Sequence, residues 1–111
     1  MQTSAALLSV EVEYHPNATI VVVAGEFDAL GREKFRRMAD EVMDDLVVDG
    51  GAQIVFDFSR LRSVDAGGLD ELSGVVRAAS KRKIQVRLVL PKRRSRALAA
   101  ITALEDSLSN A

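Results

Sequence analysis

With 111 residues, 48% of them apolar, the chain is long enough for one domain with a real core, expected to span residues 1–111 with its core at about 8–104, and too short for two. Its 15 basic and 16 acidic residues nearly cancel, so net charge gives no reason to expect nucleic acid or a membrane surface as partner. There is no cysteine, which excludes disulfides and thiolate metal centres.

The first residues, from Met1 to Ser9, lack a basic region and a sustained apolar stretch, so no signal peptide is expected. No run approaches membrane-spanning length, and the expected location is the cytoplasm. Leu8, Val10, Val12 and Tyr14 alternate with Ser9, Glu11 and Glu13, which predicts a half-buried strand. His15-Pro16-Asn17 supplies a turn. Thr19 to Ala24 is continuously apolar and β-branched, as in a strand covered on both faces, and it should form an antiparallel hairpin with the first. Gly25 ends it.

Asp28 or Gly31 starts the next element. Phe35, Met38, Ala39, Val42 and Leu46 fall on one helical face, with Arg32, Arg36, Arg37, Glu41, Asp44 and Asp45 on the others. Asp49-Gly50-Gly51 is a stop. Gln53 to Phe58 is a further apolar strand. A loop around Asp65 then runs into a helix carrying Leu69, Leu72, Val76 and Ala79 and ending near Ser80. Ile84, Val86, Leu88 and Leu90 mark another strand, closed by Pro91. Leu98, Ile101, Leu104 and Leu108 mark a last amphipathic helix of high propensity. The order is β-β-α-β-α-β-α, an α/β fold with a mixed sheet in which strands joined through helices are parallel.

Catalytic chemistry has little support in these residues. His15, the single histidine, belongs to a turn, and no nucleophile–base–acid set can be assembled. Gly67 and Gly68 lack the Lys-Ser/Thr pair of a phosphate-binding loop. Asp57, Asp65 and Asp70 could in principle gather around a divalent ion, but Asp57 lies within a strand and Asp65 suits a helix cap, so neither a metal nor another cofactor is expected. The stretch Asp65-Ala66-Gly67-Gly68 instead suits recognition. Asp65 caps the helix, the glycines allow a tight bend and leave backbone open, and the helix start offers donors and partial positive charge. Asp28 and Asp65 each follow a predicted strand at the same end of a parallel sheet, where loops commonly form sites.

Charge is unevenly placed. Acids crowd the first helix region, whereas Lys81, Arg82, Lys83, Arg87, Lys92, Arg93, Arg94 and Arg96 crowd the C-terminal third. Without interleaved aromatics, nucleic acid is not the expected partner, and a solvated face or an edge for an acidic protein is preferred.

Asp65-Ala66-Gly67-Gly68-Leu69 resembles the Asp-Ser-Ser-Gly-Leu signature of STAS domains, the family of bacterial anti-sigma factor antagonists. Gly25-Glu26-Phe27-Asp28 resembles the family's Gly-Glu-Leu-Asp, and Ile54 to Ser59 resembles its central strand. The resemblance covers roughly Leu8 to Leu104. It implies a non-catalytic regulator of transcription. Such a regulator docks on a kinase-type anti-sigma factor through Asp28, Ser63, Asp65, Ala66, Gly67 and Gly68, and is released when the signature hydroxyl is phosphorylated. Here that hydroxyl position corresponds to Ala66, and Gly67 cannot replace it, so the usual switch is expected to be absent, with Ser63 the nearest alternative acceptor. STAS domains also serve as subunits of lipid-transport ABC complexes, whose Val-Asp-Thr-Ala-Gly-Leu form Val64–Leu69 also resembles. In that case the partner would be the transporter ATPase. A third alternative is a stressosome-like scaffold.

Overall fold

Every second residue of the ten-residue strand Ala18–Phe27 is buried, and the strand is the hinge of the architecture. The computed structural model describes residues 7–49, 53–91 and 96–109. In chain order the elements are β1 (Ser9–Tyr14), β2 (Ala18–Phe27), α1 (Ala29–Asp49), β3 (Gln53–Val64), α2 (Ala66–Lys81), β4 (Val86–Val89) and α3 (Arg96–Ser109). They form one mixed sheet in the order β1-β2-β3-β4. β1 runs antiparallel to β2, and β2, β3 and β4 are parallel. The expected α/β order therefore holds. His15 and Ala18 close the hairpin, the His15 N–H donating to the Ala18 carbonyl at 2.9 Å.

The three helices form one layer. α1 packs on β1, β2 and α2, α2 packs on β3 and β4, and α3 packs on β3 and α2. Helices that touch one another in this way share one side of the sheet. That side receives Val10 of β1, Val21, Val23 and Phe27 of β2, Ile54, Phe56 and Phe58 of β3, and Leu88 of β4. The four phenylalanines of the sequence run through this core as a chain of ring contacts. Phe27 meets Phe35 edge-on at 5.2 Å, Phe35 meets Phe56 at 6.0 Å, and Phe56 stacks on Phe58 at 6.2 Å.

The expectation that β2 is covered on both faces is corrected. Thr19, Val21, Val23, Gly25 and Phe27 are buried, but Ile20, Val22, Ala24 and Glu26 are only half-buried. A continuous apolar run hides its own period, so it cannot report that one face lacks a covering layer among the described residues. Three smaller differences have local causes. The buried stripe of α1 includes Met43, with Met38 at its margin. In α3, Ile101 and Leu104 are buried as expected, but at the helix start Ala97 is buried and Leu98 only half-buried. β4 is also shorter than Ile84–Leu90. Ile84 is buried, but its N–H donates to the Ala79 carbonyl at 3.0 Å, completing the end of α2. Beside it Lys83 adopts a left-handed φ of 62°. The Gly50-Gly51 stop and the cations Lys92, Arg93 and Arg94 lie outside the described residues. Among the described residues no helix is long and apolar enough to cross a membrane.

Candidate functional site

β2 and β3 are parallel neighbours, so their C-terminal ends deliver the two candidate loops side by side. Glu26 stands opposite Ser63 and Phe27 opposite Val64. The Asp65 N–H then donates to the Phe27 carbonyl at 3.1 Å, which joins the two chain turns directly. Each turn leads into a helix through an aspartate. At the start of α1, Asp28 Oδ1 accepts from the Leu30 N–H at 3.1 Å. At the start of α2, Asp65 has extended backbone, and its Oδ1 accepts from the Gly68 N–H at 2.6 Å. Asp65 caps α2 as expected, Asp28 rather than Gly31 stands at the start of α1 and caps it in the same way, and both residues remain at the surface.

The residues around Asp65 fall into two sets. Asp28, Asp65 and Ala66 are exposed, and Ser63 and Gly67 are half-buried. Gly68 is buried, which corrects the expectation of an open backbone there. A methyl group on it would stand 2.5 Å from Phe27 Cδ1 and 2.7 Å from the Phe27 carbonyl oxygen. Glycine at this position lets α2 start hard against the end of β2, so Gly68 shapes the loop from inside.

Gly67 has a different neighbour. A methyl group there would run into the guanidinium of Arg32, which reaches across from the first turns of α1. Arg32 Nη2 lies 3.5 Å from Asp65 Oδ2, both side chains being partly exposed. The Arg32 Nε is buried and has no hydrogen-bond partner among the described residues. The missing side chain at residue 67 leaves the space that the arginine occupies. A second link between the helices, Arg36 to Glu71 at 3.9 Å, runs parallel to the first. The surface therefore presents carboxylates at Asp28 and Asp65 with a cation at Arg32 between the helix starts.

One apolar residue belongs to the same end of the molecule. Leu30, next to Asp28, is 81% exposed. Gly31 packs against the buried Leu8, which brings Leu7, 69% exposed, to this end as well. Sequence reasoning named neither Leu30 nor Arg32 as a site residue. Leu30 had a signal, because it lies off the Phe35–Ala39–Val42 stripe of its own helix. Arg32 had none, since an arginine on a solvated helix face is ordinary.

The other candidates are dispersed. Asp57 Oδ1 accepts from the Ser59 N–H at 2.9 Å within β3. Among the described residues no three acidic, histidine or cysteine side chains gather as a metal site. His15 is exposed beside Glu13, 3.3 Å away, at the far end of β1.

Solved structures with this fold include an anti-sigma factor antagonist from Mycobacterium paratuberculosis, 20% identical, with a TM-score of 0.68 and coverage of 94% of this chain and 82% of that one. An antisigma-factor antagonist STAS domain from Rhodobacter sphaeroides is 23% identical, with a TM-score of 0.58 over 76% of this chain and 87% of that one. The anti-sigma factor antagonist SpoIIAA of Bacillus, in its unphosphorylated form, is 18% identical, with a TM-score of 0.61 over 92% and 95% of the two chains. No curated protein matches the chain. The STAS domain pattern itself matches residues 9–110, from the first residue of β1 to beyond the end of α3, and the chain therefore belongs to the STAS domain family.

Proposed function

We propose that this protein is a non-catalytic regulator that acts as an anti-sigma factor antagonist, docking on a kinase-type anti-sigma factor through the paired starts of α1 and α2. The observation that carries this reading is the STAS fold with its Asp65-capped helix start, where Asp65 and Ala66 of the signature are exposed at the same end of the sheet as Asp28. The likeness to structures named as anti-sigma factor antagonists supports the same kind of role. Asp28, Ser63, Asp65, Ala66 and Gly67 supply shape and charge, Leu30 supplies an exposed apolar anchor, and Gly68 holds the surface in place. Such a partner lives in the cytoplasm, and so does this protein under this reading.

SpoIIAA occurs in an unphosphorylated and a phosphorylated form. In this chain neither of the two residues between Asp65 and Gly68 can be phosphorylated, because Ala66 and Gly67 have no hydroxyl. Ser63 is half-buried within β3 and held in register opposite Glu26, a poor setting for a kinase acceptor. Docking is therefore constitutive, and control lies with abundance or with the partner.

The test is calorimetry against the kinase-type anti-sigma factors of the source organism, with mass spectrometry after incubation with ATP. Binding without modification of the wild type is the expected result. Ala66→Ser and Gly67→Ser each restore a hydroxyl next to the cap. At least one of them should become a kinase substrate, and its phosphorylated form should bind more weakly. Stoichiometric modification of the wild type at Ser63 would refute constitutive docking. Capture of a transporter ATPase in place of any anti-sigma factor would replace the proposal with the transporter-subunit alternative.

A further inference from the structure

The helix layer covers one side of the sheet, and the other side carries an ordered pattern of its own. The strand registers put Glu13, Ile20, Val55 and Arg87 in one row across β1, β2, β3 and β4. The next row is Glu11, Val22, Asp57 and Val89. Ile20, Val22 and Val55 are half-buried, and Val89 is 37% exposed. None of the four belongs to the core or packs against it, which places them on the side away from α1, α2 and α3. Glu11, Glu13 and Arg87 are exposed. Apart from Asp57, and Arg60 opposite Ala24 one level further along, apolar side chains thus occupy the middle of a face that no described element covers, with acid along one edge and a base on the other.

We infer that this face is the contact between two copies of the chain, packed sheet to sheet about a two-fold axis that runs parallel to the strands. Charge complementarity under symmetry selects this axis. A two-fold axis along the strand direction exchanges left and right but preserves the level along the strands. The first row then meets its own reverse. Glu13 faces Arg87 of the other copy, Ile20 faces Val55, Val55 faces Ile20, and Arg87 faces Glu13. A two-fold axis across the strands would instead set Glu11 and Glu13 against themselves. Face-to-face sheets favour the aligned arrangement, with strand directions within about 30° of each other. An isologous contact of this kind closes on itself and stops at the dimer.

The pattern also sets the strength. Arg87 and Glu11 have no ion pair among the described residues, and Glu13 has only the exposed contact with His15. Asp57 is the unfavourable member of the two rows, and Arg60, exposed opposite Ala24, adds a second charge beside them. The Asp57 carboxylate holds the Ser59 N–H and stands opposite Val22 of the other copy. One half-buried charge facing an apolar residue keeps the dimer weak and reversible. The contact does not involve Asp28, Asp65 or Ala66, so both docking surfaces of the dimer stay open. It stands or falls independently of the partner proposed for them.

Sedimentation velocity across a concentration series tests it, with the full chain at low and high salt. The wild type should be in monomer–dimer exchange at sub-millimolar concentration, with the dimer weakened by salt because its flanks are ion pairs. Glu13→Arg and Arg87→Glu each create two like-charge contacts per dimer and should each raise the dissociation constant by about tenfold or more. An equimolar mixture of the two variants restores both pairs and should form a heterodimer at least as well as the wild type. Asp57→Asn keeps an oxygen for the Ser59 N–H, removes the charge and should tighten the dimer. The inference is overturned if the wild type stays monomeric throughout. It is also overturned if either single variant dimerises like the wild type. A mixture of two normally folded variants that remains monomeric would overturn it as well.

Discussion

Gly68→Ala measures how tightly the start of α2 is built. An added methyl group would stand 2.5 Å from Phe27 Cδ1, 2.7 Å from the Phe27 carbonyl oxygen and 3.1 Å from Asp65 Oδ1. Phe27 has nowhere to retreat, being 1% exposed and edge-on to Phe35, while its carbonyl is held by the Asp65 N–H. Overpacking of such a site costs about 1–3 kcal/mol. Displacing the Asp65 cap adds about 1 kcal/mol. The better helix propensity of alanine offsets about 1 kcal/mol of this. The net loss of about 1–3 kcal/mol corresponds to a melting temperature lower by roughly 5–15 °C in a chain of this size. Gly74 provides the internal control on the same helix. Nothing lies within 4 Å of a methyl group there, so Gly74→Ala should stabilise by about 0.4–1 kcal/mol. Thermal and urea unfolding followed by circular dichroism separates the two. A Gly68→Ala variant that melts at or above Gly74→Ala would refute the packing argument.

The remaining predictions concern the same end of the molecule and the core beneath it. Asp65→Ala removes the acceptor for the Gly68 N–H and should cost about 1 kcal/mol, whereas Asp65→Asn keeps a capping oxygen and should lose clearly less in the same unfolding assay. Leu30→Glu changes a side chain that is 81% exposed, so unfolding should move by less than about 0.5 kcal/mol while partner binding in calorimetry weakens by roughly tenfold or more. Normal binding by that variant would remove Leu30 from the docking surface. Phe56→Ala takes the middle ring from the contacts with Phe35 and Phe58 and should cost about 3–5 kcal/mol, read from the urea midpoint.

The sequence was informative wherever one residue type carried one instruction. Asp28 and Asp65 stand before helices and cap them, and the periods of β1 and α1 gave the elements and most of their buried residues. It was silent where the instruction came from a neighbour in space. Nothing local to Gly68 says that Phe27 lies against it, so a buried glycine looked the same as an exposed one. Arg32 looked like a solvated cation, yet its guanidinium turns in toward Gly67, thirty-five positions further along the chain. The apolar run of β2 concealed which residues face the helices, because both faces are built from the same side chains. In α3 the buried phase is set partly by Ala97, a residue whose small side chain gives little hydrophobic signal. The stretch proposed for docking was therefore legible as a place along the chain, while its division into surface and support required the fold.

The hydrogen bond from the Asp65 N–H to the Phe27 carbonyl has a kinetic consequence. Through this one residue, the end of β2, the start of α2 and, by way of Arg32, the first turns of α1 are fastened to one another. The conformational entropy of these turns is lost when the chain folds and is not lost again when a partner arrives. Whatever docks at this end meets a finished surface. Encounter should lead to the complex in a single phase, at the rate of rigid docking of about 10⁵–10⁷ M⁻¹s⁻¹, with no slower rearrangement following it.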